Sequence, residues 1–346
     1  MPRILIIAPA WVGDTVMAQP LLMRLKARSP QTRIEVLAAA WVAPILARMP
    51  EVDATLDNPF GHGELKLAQR LRLARSLKSR GYDQAIVLPN SLKSALVPFF
   101  AGIPRRTGFV GEGRFGLLND LRRLDAAAHP LLAERFALLA EPPGAALSRP
   151  LPMPRLTVDQ ARAQATLARL GLRDDAEPIA FCPGAEYGPA KRWPAHHFAR
   201  LAHLLTAKGH AVWLLGSPRD AHLGAAIAAA STARNLCGKT TLDEAVDLLA
   251  HARAVVSNDS GLMHVAAAVG TPLVALYGSS SPGFTPPLSP AARILSLGLA
   301  CSPCFERACP LGHLDCLEKL VPEAVQEALT TLLARPRDTR PGPAGA

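Results

Sequence analysis

Short apolar runs alternate with stretches of helical spacing along nearly the whole chain, and this alternation constrains the fold more than any other feature. Runs such as 3–9 and 179–183 are short and almost wholly apolar, which indicates strands buried on both faces. Such strands alternating with helices are typical of βαβ units and a parallel sheet. The predicted strands lie at 3–9, 33–38, 52–57, 84–89, 105–109, 179–183, 211–216, 254–258, 273–277 and 293–297.

A proline-rich segment divides this pattern into two halves. Residues 141–155 hold five prolines and no apolar period, which predicts a linker. The length of 346 residues also fits two domains of about 150 residues each. We therefore expect an α/β fold of two Rossmann-like domains, 1–150 and 151–334, facing each other across a cleft. The tail 335–346 is expected to be disordered.

Charge is divided unevenly between the halves. Residues 1–150 carry a net charge of +8, out of +10 for the whole chain. A basic half indicates an anionic partner: a nucleic acid, an anionic lipid surface or a phosphorylated substrate. The run 66–80 has six basic residues and no acid. Such a run is usually a solvated helix face, but it is also a candidate anion-binding surface.

The composition also excludes several classes of protein. No apolar run reaches the roughly 18 residues that a membrane span needs. Pro9, Gly13 and Asp14 interrupt the apolar opening where a signal peptide would continue, so we expect a cytoplasmic chain. A nucleic-acid-binding protein is disfavoured, because aromatic residues make up 5% of the chain and no RRM, KH or helix-turn-helix pattern is present.

The turn after the first predicted strand is a candidate catalytic site. Gly13 permits a tight turn and the close approach of a ligand, and Asp14 then places a carboxylate at the carboxyl end of that strand. A carboxylate in such a place can act as a general base. The alternative is that Asp14 only caps the following helix.

The loop 183–193 is a candidate anion site. It is rich in Gly and Pro, and Lys191 and Arg192 stand just before a helix predicted at 195–208. Backbone N–H groups, a helix N-terminus and a lysine can together bind an anion. The loop matches neither a Walker loop nor G-x-G-x-x-G, which disfavours a P-loop ATPase and a nucleotide-dependent oxidoreductase. The alternative is a solvated basic loop.

A third candidate is the segment 257–264, which precedes a helix of small residues whose free N–H groups could bind a diphosphate. Asp259 would repel phosphate, so we expect it to accept hydrogen bonds from sugar hydroxyls. His264 fits a site residue and a packed helix histidine equally well. A weaker signal is Asp220, which follows a predicted strand where Rossmann-like folds often bind a ribose.

Four of the six cysteines cluster late in the chain, at Cys301, Cys304, Cys309 and Cys316, with His313 among them. Four thiols at this density could bind zinc. However, only one C-x2-C pair is present and the other spacings are irregular, and stable disulfides are rare in the cytosol. We expect a reduced structural loop without metal, with a zinc site as the alternative.

Four blocks of the sequence together resemble the ADP-heptose:lipopolysaccharide heptosyltransferases of Gram-negative bacteria. The blocks are WVGDTVMAQP, PGAEYGPAKRWP, NDSGLMHVAAAVGTPLVALYG and CSPCFERACPLGHLDCL, in the expected order, and the likeness covers nearly the whole chain. It is greatest to the enzymes that add the second inner-core heptose. The enzymes that add the first heptose share the Gly-Asp and Asp-x-Gly-x-x-His patterns.

The resemblance implies a GT-B architecture in which 1–150 binds the acceptor and 151–334 binds the nucleotide-sugar. It implies inverting transfer of heptose from ADP-heptose to the heptosyl-Kdo2-lipid A inner core, with no cofactor and no metal. The alternatives are transfer of the first heptose to Kdo2-lipid A, or another nucleotide-sugar-dependent transfer. The resemblance implies these residue roles: Asp14 as general base, Lys191 at the diphosphate, Asp220 near the ribose, Asp259 at the heptose hydroxyls, and Ser260, Gly261 and His264 at the rest of the donor.

The residues agree with this implication. Inversion is a single displacement, in which a base takes the proton of the acceptor hydroxyl while positive groups stabilise the departing ADP. A carboxylate on one domain and a cationic loop on the other supply both. The basic first half fits a phosphorylated lipid acceptor at the cytoplasmic face of the inner membrane. We therefore expect peripheral membrane contact and no nucleic-acid partner.

Overall fold

A computed structural model of the chain describes residues 1–61, 63–173 and 177–334. The tail 335–346, which we expected to be disordered, lies outside the described residues. The chain divides into two compact units, Met1–Met153 and Pro154–Ala346. No helix among the described residues has both the length and the apolar character needed to cross a bilayer.

The first unit is built on a six-stranded parallel sheet in the order β3-β2-β1-β4-β5-β6. Its strands are β1 (Arg3–Ile7), β2 (Arg33–Ala38), β3 (Ala54–Asp57), β4 (Gln84–Val87), β5 (Arg105–Phe109) and β6 (Asp120–Arg122). Its helices are α1 (Val12–Met17), α2 (Gln19–Arg28), α3 (Ala43–Leu46), α4 (Leu67–Lys78), α5 (Leu92–Phe100) and α6 (Leu132–Leu138). Apolar side chains of β1 and β4 share one buried core with those of α4 and α5.

The second unit repeats this plan with a parallel sheet in the order β12-β11-β10-β7-β8-β9. Its strands are β7 (Ile179–Cys182), β8 (Val212–Leu214), β9 (Arg234–Asn235), β10 (Ala254–Asn258), β11 (Leu273–Leu276) and β12 (Ala292–Leu295). Its helices are α7 (Gln160–Leu170), α8 (Ala195–Thr206), α9 (Ala221–Ala229), α10 (Leu242–His251), α11 (Gly261–Ala268), α12 (Asp315–Glu318) and α13 (Pro322–Leu333). Its main core joins the central strands to α8 and α13.

Both sheets have the strand order of a Rossmann fold, which runs outward from a central strand and then restarts on that strand's other side. The reversal lies between β1 and β4 in the first unit and between β7 and β10 in the second. In open α/β sheets, ligands bind at the carboxyl ends of the strands at this point. Asp14 lies in the first turn of the helix that follows β1, Lys191 lies in the loop after β7, and Asp259 directly follows β10.

The predicted α/β fold with two Rossmann-like sheets is confirmed, and all ten predicted strands are present with small shifts at their ends. Two short strands were missed, β6 and β9. They have three and two residues, and each contains an arginine instead of a continuous apolar run. Both lie at the edge of a sheet, where strands are commonly short and carry charged residues because one backbone edge has no partner strand.

Candidate active site

Two loops of the second unit meet at the reversal point between β7 and β10. Asn258, the last residue of β10, donates from Nδ2 to the carbonyl oxygen of Pro183 (2.7 Å) and accepts the backbone N–H of Trp193 at Oδ1 (3.0 Å). Asn258 therefore holds both ends of the loop 183–193. The buried indole of Trp193 anchors this loop further, since its Nε1–H donates to the carbonyl oxygen of Leu320 (2.8 Å).

Lys191 and Asp259 form an ion pair at this edge, with 2.6 Å between Nζ and Oδ2. Their side chains are 18% and 5% exposed, so water screens the pair only in part. The Lys191 ammonium lies 5.1 Å from the centre of the Tyr187 ring, and the Arg307 guanidinium lies 5.2 Å from the same ring. Residues of the two loops thus lie close to Arg307, which belongs to a segment distant in sequence.

Tyr187 and Arg307 are the residues that the sequence did not single out. Tyr187 lies inside the predicted anion loop, but a single aromatic residue does not by itself indicate a binding role. Arg307 lies in the cysteine-rich segment, and no local pattern connects that segment with a loop more than a hundred residues earlier. The Tyr187 hydroxyl donates to the carbonyl oxygen of Phe305 (2.6 Å), which ties the two stretches together.

Ser260 and Gly261 begin α11. Ser260 is the N-cap residue, its side chain makes no capping hydrogen bond, and Gly261 is the first helical residue. The first N–H groups of a helix lack intrahelical partners and carry a partial positive charge. Because they follow Asp259 directly, one edge of the sheet presents a carboxylate and backbone donors together.

His264 lies in the second turn of α11 and is buried. Burial lowers the pKa of His264 to about 4; the negative charge of Asp259 opposes this shift and the positive charge of Lys191 adds to it. The imidazole is therefore neutral at pH 7, and it can meet a ligand only as a neutral hydrogen-bonding group.

Asp220 lies against the start of the loop 183–193, next to Gly184. Its Oδ2 accepts the backbone N–H (2.9 Å) and the hydroxyl (2.8 Å) of Ser217, which fixes the turn after β8. A Cβ placed on Gly184 would stand 2.5 Å from the carboxyl atoms of Asp220, so the loop can pass this close only as glycine. Asp220 therefore packs against the first residues of the loop 183–193. Its contact with a ribose stays a prediction.

Asp14 lies in the first unit, in the first turn of α1 directly after β1. The N-cap residue of α1 is Trp11, so Asp14 is not itself the N-cap of this helix. The Asp14 side chain is partly exposed. Its position at the carboxyl end of a central strand leaves a carboxylate where a ligand of the first unit can reach it. Its role as a general base stays a prediction.

Helix α4 makes up most of the basic run 66–80, and the six cations of this run do not act alike. Arg70 is buried, with its guanidinium 4.0 Å from the centre of the Phe60 ring and hydrogen bonds to three backbone carbonyls. It is a structural residue. Arg72, Arg75 and Lys78 are exposed, and Leu65 and Leu67 beside them are 52% and 45% exposed. We refer to these five exposed residues as the α4 basic surface.

Two groups of side chains have the chemistry of metal ligands. His196, His197 and Glu318 place their ligand atoms within 4.8 Å of one another, and they are the group with that spacing among the described residues. Two of these three are exposed. The second group is Cys301, Cys304, Cys309 and Cys316, all of them free thiols that line one cavity together with His313.

Comparison with known proteins bears on what this edge binds. The chain matches the family model of glycosyltransferase family 9 (heptosyltransferase) over residues 70–315. It is 49% identical over 342 residues to lipopolysaccharide heptosyltransferase 2 of Escherichia coli K12, covering 96% of this chain and 98% of that protein. It is 49% identical over 308 residues to lipooligosaccharide heptosyltransferase 2 of Haemophilus influenzae Rd, covering 85% and 88%. The solved structure of ADP-heptose LPS heptosyltransferase II of E. coli superposes with a TM-score of 0.86 at 47% identity, covering 96% and 98%.

Proposed function

The chain belongs to glycosyltransferase family 9, the heptosyltransferases, and we propose from this that it transfers L-glycero-D-manno-heptose from ADP-heptose to the heptosyl-Kdo2-lipid A inner core of lipopolysaccharide. Its two six-stranded α/β units have the GT-B glycosyltransferase architecture. The alternative of first-heptose transfer to Kdo2-lipid A is not favoured, because the relatives at 49% identity are both named heptosyltransferase 2.

The observation that carries the donor site is the Lys191–Asp259 pair at the reversal point of the second sheet. A lysine ammonium has three donors, so Lys191 can keep its bond to Asp259 and still donate to a diphosphate oxygen. The N–H groups of Ser260 and Gly261 add partial positive charge beside it. Asp259 repels phosphate but accepts hydrogen bonds from hydroxyls, which suits the heptose ring. His264, neutral at pH 7, and Asp220 complete the proposed donor contacts.

The proposed reaction is a single displacement. The Asp14 carboxylate takes the proton of the acceptor hydroxyl while the hydroxyl oxygen forms a bond with the anomeric carbon of heptose. The bond from that carbon to the diphosphate oxygen breaks, and its electron pair leaves with ADP. Lys191 and the N-terminus of α11 stabilise the charge that develops on the leaving diphosphate. The configuration of the anomeric carbon is inverted, and the proton remains on Asp14 until water removes it.

We place the acceptor and the membrane on the first unit. The acceptor is an anionic lipid, and the first unit carries most of the net positive charge of the chain. The α4 basic surface combines exposed cations with exposed leucines, which is the chemistry of a surface that rests on anionic headgroups. This supports peripheral contact with the cytoplasmic face of the inner membrane.

Release of ADP with defined substrates tests the proposal. With ADP-heptose as donor, heptosyl-Kdo2-lipid A should be turned over and Kdo2-lipid A should not. A thermal-shift comparison tests the donor separately: ADP should raise the melting temperature, and UDP and NAD should not, because only a ligand of the native state stabilises it. Turnover of Kdo2-lipid A would assign the first-heptose reaction instead. Stabilisation by UDP or NAD in place of ADP would remove this chain from ADP-heptose chemistry.

A further inference from the structure

The cysteine-rich segment 301–316 packs directly on the loop that carries Lys191. The backbone N–H of Ala190 donates to the carbonyl oxygen of Arg307 (3.0 Å), and the Tyr187 hydroxyl donates to that of Phe305 (2.6 Å). A Cβ at Gly188 would collide with the Arg307 carbonyl, so only glycine permits this approach. Whatever fixes the conformation of 301–316 therefore also fixes the neighbours of Lys191.

Four thiols of this segment face one cavity. Cys301, Cys304, Cys309 and Cys316 line it together with His313, Ala190 and Ser279. The Ser279 hydroxyl is buried at 1% exposure and has no hydrogen-bond partner among the described residues. An unpaired buried hydroxyl is costly and calls for a partner. A thiolate charge in the cavity would supply that partner.

We propose that this cavity is a structural metal site, in which Cys301, Cys304, Cys309 and Cys316 bind one zinc ion. A set of four sulfur ligands selects zinc or iron among the metals available to proteins. Each thiolate needs hydrogen-bond donors around it, and the Sγ of Cys309 already accepts backbone N–H groups from the residues that follow it, Leu311 to Leu314. The proposal departs from the metal-free loop that the irregular spacing led us to expect.

His313 is a donor to this site and not a ligand. Its Nδ1 accepts the backbone N–H of Asp315 (2.9 Å), which places the ring proton on Nε2. A protonated Nε2 cannot bind a metal, but it can donate to a thiolate. This leaves the four sulfurs as the ligand set and gives the cavity two side-chain donors, His313 and Ser279.

The thiols must move closer to hold the ion. Zinc–sulfur bonds of about 2.3 Å put the sulfurs of a tetrahedral site roughly 3.8 Å apart. No three of the loop's ligand atoms lie within 4.8 Å of one another in the part of the chain that the structure describes. Cys301 is exposed, and Cys304 and Cys309 are half-buried, so rotation of these side chains toward the buried Cys316 can close the site.

The metal would position the donor site without touching the substrate. With zinc bound, 301–316 is closed at four points, and the contacts to Tyr187, Gly188 and Ala190 hold the Lys191 loop. Loss of zinc should therefore weaken ADP binding, and that link rests on the proposed function. The metal content does not depend on the proposed function. A protein that binds zinc but not ADP would therefore refute the proposed function and leave the zinc site standing.

Elemental analysis of the full-length protein, purified without a histidine tag and without chelator, tests the site. Wild type should hold about one zinc per chain, and Cys309→Ser should hold less than about a fifth of that. Cys237→Ser changes a cysteine outside the segment and should keep the metal. His196→Ala removes one candidate ligand of the His196, His197 and Glu318 group, and this variant should also keep the metal.

Two further readouts keep the test decisive if a variant folds poorly. Wild type reconstituted with cobalt(II) should show the visible absorption of a tetrahedral thiolate site. The four loop thiols should resist a thiol reagent until a chelator is added. Less than about a tenth of an equivalent of zinc or iron in wild type, with fully reactive thiols, would overturn the proposal. Metal lost in His196→Ala but kept in Cys309→Ser would overturn it as well.

Discussion

Lys191 and Asp259 face each other across the reversal point of the second sheet, with 2.6 Å between ammonium and carboxylate. Their backbones are set by neighbouring strands, since Lys191 lies in the loop after β7 and Asp259 follows β10 directly. The carboxylate holds the flexible lysine side chain at one point of the edge. It also partly neutralises the ammonium, so the diphosphate must compete with Asp259 or share the lysine with it.

Lys191→Ala should weaken ADP binding about ten- to a hundredfold. Loss of one charge-assisted hydrogen bond costs roughly 1.5–3 kcal/mol, which corresponds to that range of Kd. Isothermal titration calorimetry with ADP measures it directly. Lys208→Ala, at an exposed lysine just after α8, is the matched control and should bind ADP like wild type. An unchanged Kd for Lys191→Ala would remove this residue from the site.

The same variant should be less stable, because it leaves the buried carboxylate of Asp259 without its cation. Adding Asp259→Asn removes that unpaired charge. The double variant should therefore regain part of the lost melting temperature without regaining ADP affinity. If affinity returned together with stability, Lys191 would act on ADP only through the fold.

Charge reversal on the α4 basic surface should raise the KM for the lipid acceptor more than the KM for ADP-heptose. Arg72→Glu with Arg75→Glu is the informative variant, because both side chains are exposed, whereas Arg70 is buried and its loss would disturb the fold. Higher salt should act on wild type in the same direction, since exposed charges are screened. Lys208→Glu in the second unit is the control. Equal changes in both KM values would count against this surface.

The sequence predicted the order of strands and helices because buried parallel strands need nearly continuous apolar runs, and each run is visible by itself. It also predicted that the turns with Lys191 and Asp259 lie at the carboxyl edge of a sheet, which is where we propose the donor site. β6 and β9 escaped notice because a strand of two or three residues has no period to detect.

Contacts between distant segments could not be predicted in the same way. Nothing local in the sequence joins Lys191 to Asp259 or Tyr187 to Arg307, because each pair depends on how two loops pack. The same limit applies to the cysteines. Their spacing looked irregular along the chain, but the turns between them bring all four to one cavity. The burial of Arg70 could not be predicted either. The cations of the run 66–80 look alike in the sequence, and only the packing of one face of α4 distinguishes Arg70 from the exposed ones.

His264 should make the protein less stable as the pH falls from about 6.5 to about 4. The first value is the ordinary pKa of an unfolded histidine and the second is its pKa in the fold. Between them the unfolded chain binds a proton that the buried imidazole does not, so acid favours unfolding. The full effect is at most roughly 3 kcal/mol. This contribution to the free energy of unfolding is complete above about pH 6.5 and is lost as the pH falls toward about 4.

Chemical denaturation at several pH values measures this contribution. His264→Gln should flatten the fall in the free energy of unfolding between pH about 6.5 and about 4 relative to wild type. His222→Gln, at an exposed histidine of α9, is the control and should follow wild type. Carboxylates add their own acid dependence to all three proteins, so the difference between variants is the quantity to compare. Parallel curves for His264→Gln and wild type would contradict the buried neutral imidazole.

Asp14→Asn should separate catalysis from stability in the first unit. Because Trp11, and not Asp14, is the N-cap of α1, the change leaves the N-cap residue itself unaltered. It removes the favourable interaction of a first-turn carboxylate with the helix dipole, which is worth about 0.3–1 kcal/mol. The melting temperature should therefore fall only slightly, and ADP affinity should not change. Asparagine is nearly isosteric with aspartate but cannot accept the acceptor's proton.

Loss of a general base lowers the rate by about 10²–10⁴-fold, so kcat for Asp14→Asn should fall by at least about a hundredfold. The KM values for both substrates should stay close to those of wild type, since the side chain keeps its size and polarity. Asp57→Asn makes the same chemical change at an exposed aspartate at the end of β3 and serves as the control. Near-normal turnover by Asp14→Asn would mean that another group takes the proton. The carboxylate after β1 would then serve only to favour the first turn of α1.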